Sequence, residues 1–202
     1  MSDKNSVKLL ILYYSRHGIT EELAKTIAMG AQSTGASVSI RTVPDISANN
    51  EAVEPSVPRS GVSYASLNDL VECDGLALGS PTHFGNMAAP MKYFIDSTSQ
   101  QWLKGTLIDK PACVFSSTSS LHGGQESTLL SMMLPLFHQG MLVFGLPYSE
   151  PGLHKTEFGG TPYGATAVSR PDKNTLSAIE KELAYAQGKR LAKLALKYKE
   201  TR

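Results

Sequence analysis

The sequence predicts an α/β protein: an open, doubly wound parallel sheet of five strands with helices on both faces. Two observations carry this. Short apolar runs alternate with segments whose apolar residues recur every three or four positions, the pattern of buried strands joined by right-handed crossover helices. Three of those runs end abruptly in loops rich in Gly, Ser and Thr.

The elements follow in order. Val7 to Tyr14 is a near-continuous apolar run, expected as a central strand. From Thr20, apolar residues at Leu23, Ala24, Ile27, Ala28 and Ala31 trace one helical face, and Glu21 and Glu22 suit a helix start. Val38 to Val43 reads as a second strand. The Pro-rich stretch Pro44 to Gly61 reads as a long polar surface loop. A short helix near Leu67 to Glu72 leads into a strand at Gly75 to Gly79. Met91 to Ser97 reads as helix, Ala112 to Ser116 as strand, and Ser127 to Gln139 as a helix closed by Gly140, with a kink expected at Pro135. Met141 to Phe144 is the expected fifth strand. Phe144 to Arg170 is a long Gly- and Pro-rich segment, and a final helix runs from Asn174 to about Lys199. No repeat or linker divides the chain, so a single domain over residues 1–202 is expected.

Composition narrows the function. Apolar residues make up 41% of the 202 residues and charged residues 18%, with a formal charge of +1. No Lys/Arg block suggests nucleic acid, and no apolar run approaches the roughly 20 residues of a membrane span. The polar start "MSDKNSVK" reads as neither signal peptide nor anchor, so a cytoplasmic location is expected. Cys73 and Cys113 have no CxxC partner and sit by apolar runs, as small core residues do. The five histidines show no metal-ligand spacing.

The three polar loops carry the chemistry. In an open α/β sheet, ligands bind at the carboxyl ends of the strands. The first loop, Ser15 to Thr20, joins a strand to a helix N-terminus, where unpaired N–H groups and the helix dipole attract an anion. Ser15 and Thr20 add hydroxyls and Gly18 permits close approach. It is neither a Walker loop nor a GxGxxG turn. The second loop, "SPTHFGNMAAP", offers the flat face of Phe84 and polar edges from Thr82 and Asn86, a mixture suited to a planar heterocycle. The third, "SSTSSLHGGQE" (Ser116 to Glu126), is a second polar cradle. A phosphate nest beside two heterocycle-sized loops suggests FMN. A phosphate-receiver reading is rejected, since it would need acidic residues where Ser15 and Ser80 or Pro81 stand.

Taken together, "YYSRHGIT", "SPTHFGNMAAPMKYFID", "VFSST" followed by "GGQE", and "GGTPYGAT" resemble the tryptophan-repressor-binding-protein family of FMN-dependent NAD(P)H:quinone oxidoreductases, which are flavodoxin-like. The resemblance covers nearly the whole chain. It implies a sheet order of 2-1-3-4-5, one FMN per subunit, and a homotetramer with active sites near subunit boundaries. It places Ser15, Arg16, His17, Gly18, Ile19 and Thr20 at the phosphate. It assigns Thr82, His83 and Phe84, with Gly85 and Asn86, to the isoalloxazine. The third loop, Ser117, Thr118, Ser119, Ser120, Leu121, His122 and Gly123, joins them. His138 would line the flavin and quinone pocket, and Trp102, Tyr148 and His17 would meet nicotinamide or quinone.

The chain departs from the family pattern in a few places. His17 replaces an aromatic residue and His83 replaces Arg, which leaves NADH or NADPH as donor. Leu121 and His122 stand where relatives carry more glycine, and Pro135 precedes His138 by less than a turn. The implied reaction is two-electron reduction of quinones to hydroquinones by ping-pong hydride transfer through flavin N5, with His138 as polar stabiliser or proton donor. Two other readings compete. A one-electron carrier flavodoxin would be strongly acidic, unlike this chain. A non-enzymatic interaction module would need an exposed amphipathic or basic signature, which the sequence lacks.

Overall fold

The computed structural model describes residues 6–46, 58, 61–169 and 175–200. Most of the Pro44–Gly61 insertion, and the expected helix start at Asn174, lie outside the described residues.

The elements, in chain order, are β1 (Lys8–Tyr13), α1 (Ile19–Gln32), β2 (Ser37–Thr42), α2 (Leu67–Glu72), β3 (Gly75–His83), β4 (Asn86–Met87), α3 (Ala89–Asp96), α4 (Ser99–Leu103), β5 (Pro111–Thr118), α5 (Gln125–His138), β6 (Leu142–Val143), α6 (Gly152–Lys155), β7 (Ala165–Val168) and α7 (Ala178–Lys199). The sheet runs β2-β1-β3-β5-β6, all parallel. That is the expected 2-1-3-4-5 order of a flavodoxin-like fold. The fifth position is shared. β6 pairs with Pro111 and Ala112 at the start of β5, and β7 pairs in parallel with Phe115 to Thr118 at its end.

β7 corrects the sequence reading, which left Ala165 to Val168 inside a loop. Four residues behind a glycine carry little periodicity, and what makes them a strand is the vacant edge of β5. Gly164 lets the backbones close: a Cβ there would lie 2.1 Å from Val114 O. α4, α6 and β4 were also not foreseen, and β3 runs on to His83 instead of ending at Gly79. α5 continues through Pro135 to His138, although Pro135 has no N–H to donate to the preceding turn.

Side chains of β1 alternate between two cores. Leu9, Ile11 and Tyr13 pack with Leu23, Ile27, Phe115 and Leu191 under α1 and α7. Leu10 and Leu12 pack with Leu78, Met91, Leu129 and Met132 under α3 and α5. Cys73 and Cys113 are buried and unpaired, and burial pushes their thiols up to about 11 and about 12.

α1 and α7 touch backbone to backbone. A Cβ on Gly188 would lie 1.8 Å from Ile27 O, and one on Gly30 would lie 2.0 Å from Tyr185 O. α7 therefore holds α1 in place, and the N-terminus of α1 points to the carboxyl edge of the sheet. α7 also holds the "GGTPYGAT" segment. The buried Glu180 carboxylate accepts from Ser177 N (2.7 Å), Val168 N (2.9 Å) and Gly159 N (3.1 Å). Three such charge-assisted bonds offset the cost of burying the charge. Gln187, also buried, accepts from Ala165 N (2.5 Å) and donates to Val114 O (2.9 Å). The family-like signature in this segment is thus an anchoring device for β7.

Candidate functional site

The three polar loops converge on one cavity of about 240 Å³ at the carboxyl edge of the sheet. The first loop supplies Ser15, Arg16, His17, Ile19 and Thr20 to its wall. Gly18 is the N-cap of α1 at φ 91°, a left-handed conformation that glycine adopts without strain. Ser15 Oγ accepts from Gly18 N at 3.1 Å. No side chain caps α1, so the first-turn N–H groups have no side-chain acceptor. The Thr20 hydroxyl is buried, 2.8 Å from that of Ser117 on β5.

The second loop is a hairpin. β3 folds back on β4 through Phe84 (φ 52°) and Gly85 (φ 77°), with His83 paired to Asn86. Two consecutive positive φ values make the tight turn whose twist suits a two-residue hairpin. Phe84 is a bulky residue in the left-handed region with its ring fully exposed. Such a conformation costs energy and points to function when an exposed aromatic adopts it. Pro81, Thr82 and His83 reach the cavity. Thr82 Oγ1 lies 2.7 Å from Thr128 Oγ1 of α5, and Ser80 Oγ accepts from Ala88 N at 2.8 Å, closing the loop. Asn86 Oδ1 accepts from Met87 N (2.8 Å) and Ser131 Oγ (3.1 Å).

The third loop contributes Ser117, Thr118 and Ser119. The turn beyond them is self-contained: Thr118 Oγ1 donates to Ser120 O, and Gln125 Nε2 donates to Leu121 O. Ser120, Leu121, His122 and Gly123 stand outside the cavity wall, as do Phe84, Gly85 and Asn86. Two wall residues were missed: Pro81, within the second loop, and Ser169, whose N–H donates to Thr118 O at 2.8 Å. Ser169 is the one the sequence hid. Its signal was its place just after a strand, which required recognising β7.

The wall contains Arg16, His17 and His83 and no carboxylate. Behind it, Tyr14 donates to Asp45 Oδ1 at 2.5 Å. Burial, reinforced by Asp45, pushes the Tyr14 phenol up to about 12. Burial, reinforced by Glu21, does the same for Tyr13. Among the described residues, no group of three His, Cys, Asp or Glu could hold a metal ion.

Trp102 and His138 lie elsewhere. Trp102 Nε1 donates to His138 O at 2.8 Å, and both line a second cavity of about 390 Å³ with Lys92, Asp96, Thr98 and Gln139. This cavity is at the C-terminal end of α5. The helix has 14 residues, so it lies about 20 Å from the Gly124 end that meets the first cavity. Tyr148 belongs to a third region, with its ring 5.3 Å from that of His154.

Residues 7–149 match the family model of the NADPH-dependent FMN reductases. The chain belongs to this family. Two curated relatives span it almost end to end. An NAD(P)H dehydrogenase (quinone) of Geotalea uraniireducens (strain Rf4) is 40% identical over 94% of this chain and 98% of that protein. NAD(P)H dehydrogenase (quinone) 3 of Rhizobium meliloti (strain 1021) is 39% identical over 93% and 92%. These matches bear out the quinone-oxidoreductase family expected from the loops. The fold is that of a flavodoxin, WrbA-like protein from Agrobacterium tumefaciens (TM-score 0.69, 23% identity, 96% of this chain and 99% of that one). Oxidised Flavodoxin 1 of Bacillus cereus shares the fold (TM-score 0.58, 17% identity, 92% and 97%). In this FMN reductase family member, the wall residues fit an FMN phosphate: an uncapped helix start, paired buried hydroxyls and no opposing carboxylate. Among the described residues, no helix is long and apolar enough to cross a membrane.

Proposed function

We propose that the chain is an FMN-dependent NAD(P)H:quinone oxidoreductase that reduces quinones to hydroquinones. The observation that carries this is the uncapped start of α1 facing the Thr20–Ser117 pair in the cavity where all three loops meet. Ser15, Thr20 and the first amides of α1 would hold the phosphate, with Arg16 as its ion partner. Thr82, His83 and the Ser117–Ser119 run would hold the polar edge of the ring, beside Phe84. Bound FMN supplies the two-electron hydride chemistry. The residues would orient it and leave room for nucleotide and then quinone. Alternating use of one stacking place gives ping-pong kinetics.

Trp102 and His138 join this site, in our reading, from a second copy in a homotetramer. The support is an apolar surface beside them. Leu130, Leu134 and Phe137 form an exposed stripe along α5, and Tyr93, Leu103 and Ile108 are exposed nearby in sequence to Trp102. Patches of this kind mark interfaces. A His138 imidazole brought to the open face would donate a hydrogen bond to the quinone oxygen as it gains charge.

The test is NADH and NADPH oxidation with FMN-loaded protein, with and without benzoquinone, against a free-FMN background. Rapid quinone-dependent oxidation with parallel-line kinetics is expected. FMN binding without quinone-dependent turnover would overturn the reading.

A further inference from the structure

A third polar cavity, of about 480 Å³, lies between the turn at residues 147–150 and α7, apart from the flavin cavity and from the Trp102–His138 region. One face of α7 lines it. Glu182, Tyr185, Lys189 and Lys193 follow one another at the spacing of successive turns, Arg190 adjoins Lys189, and Glu150 stands on the facing segment. Among the described residues, none of these five charged side chains is in an ion pair.

Along α7 itself the charges are also sorted. Glu182 stands seven and eight residues before Lys189 and Arg190, about 10 Å along the helix, so the carboxylate and the cations occupy different ends of the α7 wall. The exposed Tyr185 ring lies between them. Arg190 is held in place rather than trailing into solvent. Its guanidinium carbon sits 5.5 Å from the centre of the Phe144 ring, a cation–π platform. Among the described residues, its Nε is buried with no hydrogen-bond partner. Buried donors in folded proteins nearly always have an acceptor.

We propose that this cavity binds a small phosphate ester bearing a ring. Lys189, Arg190 and Lys193 take the phosphate, Tyr185 takes the ring face, and Glu182 accepts from hydroxyl or amine groups at the other end. Three cations within five residues on one helix provide the charge-assisted donors a phosphate needs. A cavity of this size matches ordinary small-molecule sites. The ligand is neither the flavin nor the nicotinamide donor, since both belong to the carboxyl edge of the sheet.

The test uses the full chain loaded with oxidised FMN and saturated with NAD⁺, so that the flavin and nucleotide places are filled. AMP, adenosine and inorganic phosphate are titrated by calorimetry. AMP should bind with one site per chain, about tenfold or more tighter than either half of it. Lys193→Gln and Arg190→Gln should each weaken AMP about tenfold with quinone turnover unchanged, and Lys193→Gln should also leave the melting temperature unchanged. Lys193 is exposed, so that variant folds. Three results would overturn the proposal: no AMP binding, equal binding in both variants, or a changed oligomeric state in Lys193→Glu. The last would show that a second copy covers this face.

Discussion

The two ends of α5 differ in kind. At its N-terminal end, the first cavity is assembled within one chain: loops after β1, β3 and β5, joined by Ser169 after β7, meet at one sheet edge. At its C-terminal end, Trp102 and His138 stand beside apolar side chains that nothing among the described residues covers. The first is a product of parallel topology, which delivers every strand's carboxyl end to the same edge. Under the proposed function, a second copy of the chain completes the Trp102–His138 region, so the cofactor loops meet within one chain while the substrate side needs assembly.

Several perturbations would break or sharpen this contrast. The largest effect belongs to the support under the first cavity. Gly188→Ala places a methyl against Ile27 O, where the nearest approach is 1.8 Å. Backbone cannot yield as a side chain can, so a loss of about 3 kcal/mol is expected by thermal or urea unfolding. FMN retention should fall with it, because α1 must shift.

His138→Ala addresses the other end. Quinone-dependent kcat/KM should fall about a hundredfold, the scale of a lost proton donor or charge stabiliser. FMN affinity, read by flavin fluorescence, should not move. Unchanged quinone turnover would remove His138 from the mechanism. Thr20→Val is the converse. It keeps shape, removes the hydroxyl opposite Ser117, and should weaken FMN about tenfold while costing about 1 kcal/mol of stability through the unpaired Ser117 hydroxyl.

The smallest effect is a pH dependence confined to the alkaline side. Tyr13 and Tyr14 lie beneath the first cavity with phenols raised from 10.0 to about 12, chiefly by burial. A phenol whose folded value is raised stays neutral in the fold after it would ionise in the unfolded chain. Its contribution is therefore full below pH 10 and lost as pH climbs from 10 to 12. The thiols of Cys73 and Cys113, raised from 9.0 to about 11 and about 12, act in the same sense from pH 9. Melting temperatures at pH 8, 9, 10 and 11 should fall increasingly steeply at the top of this series. A steeper fall below pH 9 would assign the dependence to other groups.

Much of this was legible in the residues. The run Val7 to Tyr14, the 3.6-residue spacing from Leu23 to Ala31, and the α2 span Leu67–Glu72 led directly to observed elements. The wall residues Ser15, Thr20, Thr82 and Ser117 follow from one rule, that polar loops after buried strands in an α/β sheet face a ligand. The turn at Phe84 and Gly85 was less legible. Only the pairing of His83 with Asn86 shows that the second loop is a hairpin. Ser169 was invisible until Ala165 to Val168 became a strand.

The sequence by itself determined the parallel α/β architecture, the phosphate-type loop and the family, because strand and helix periodicity and loop chemistry are local properties. Only the tertiary structure decided that the fifth sheet position is split between β6 and β7, and that Glu180 and Gln187 anchor the second piece. It alone separated Trp102 and His138 from the cavity along the length of α5. Such facts depend on which backbone finds which edge and how far a helix carries a side chain from its neighbours in sequence, and no local pattern encodes either.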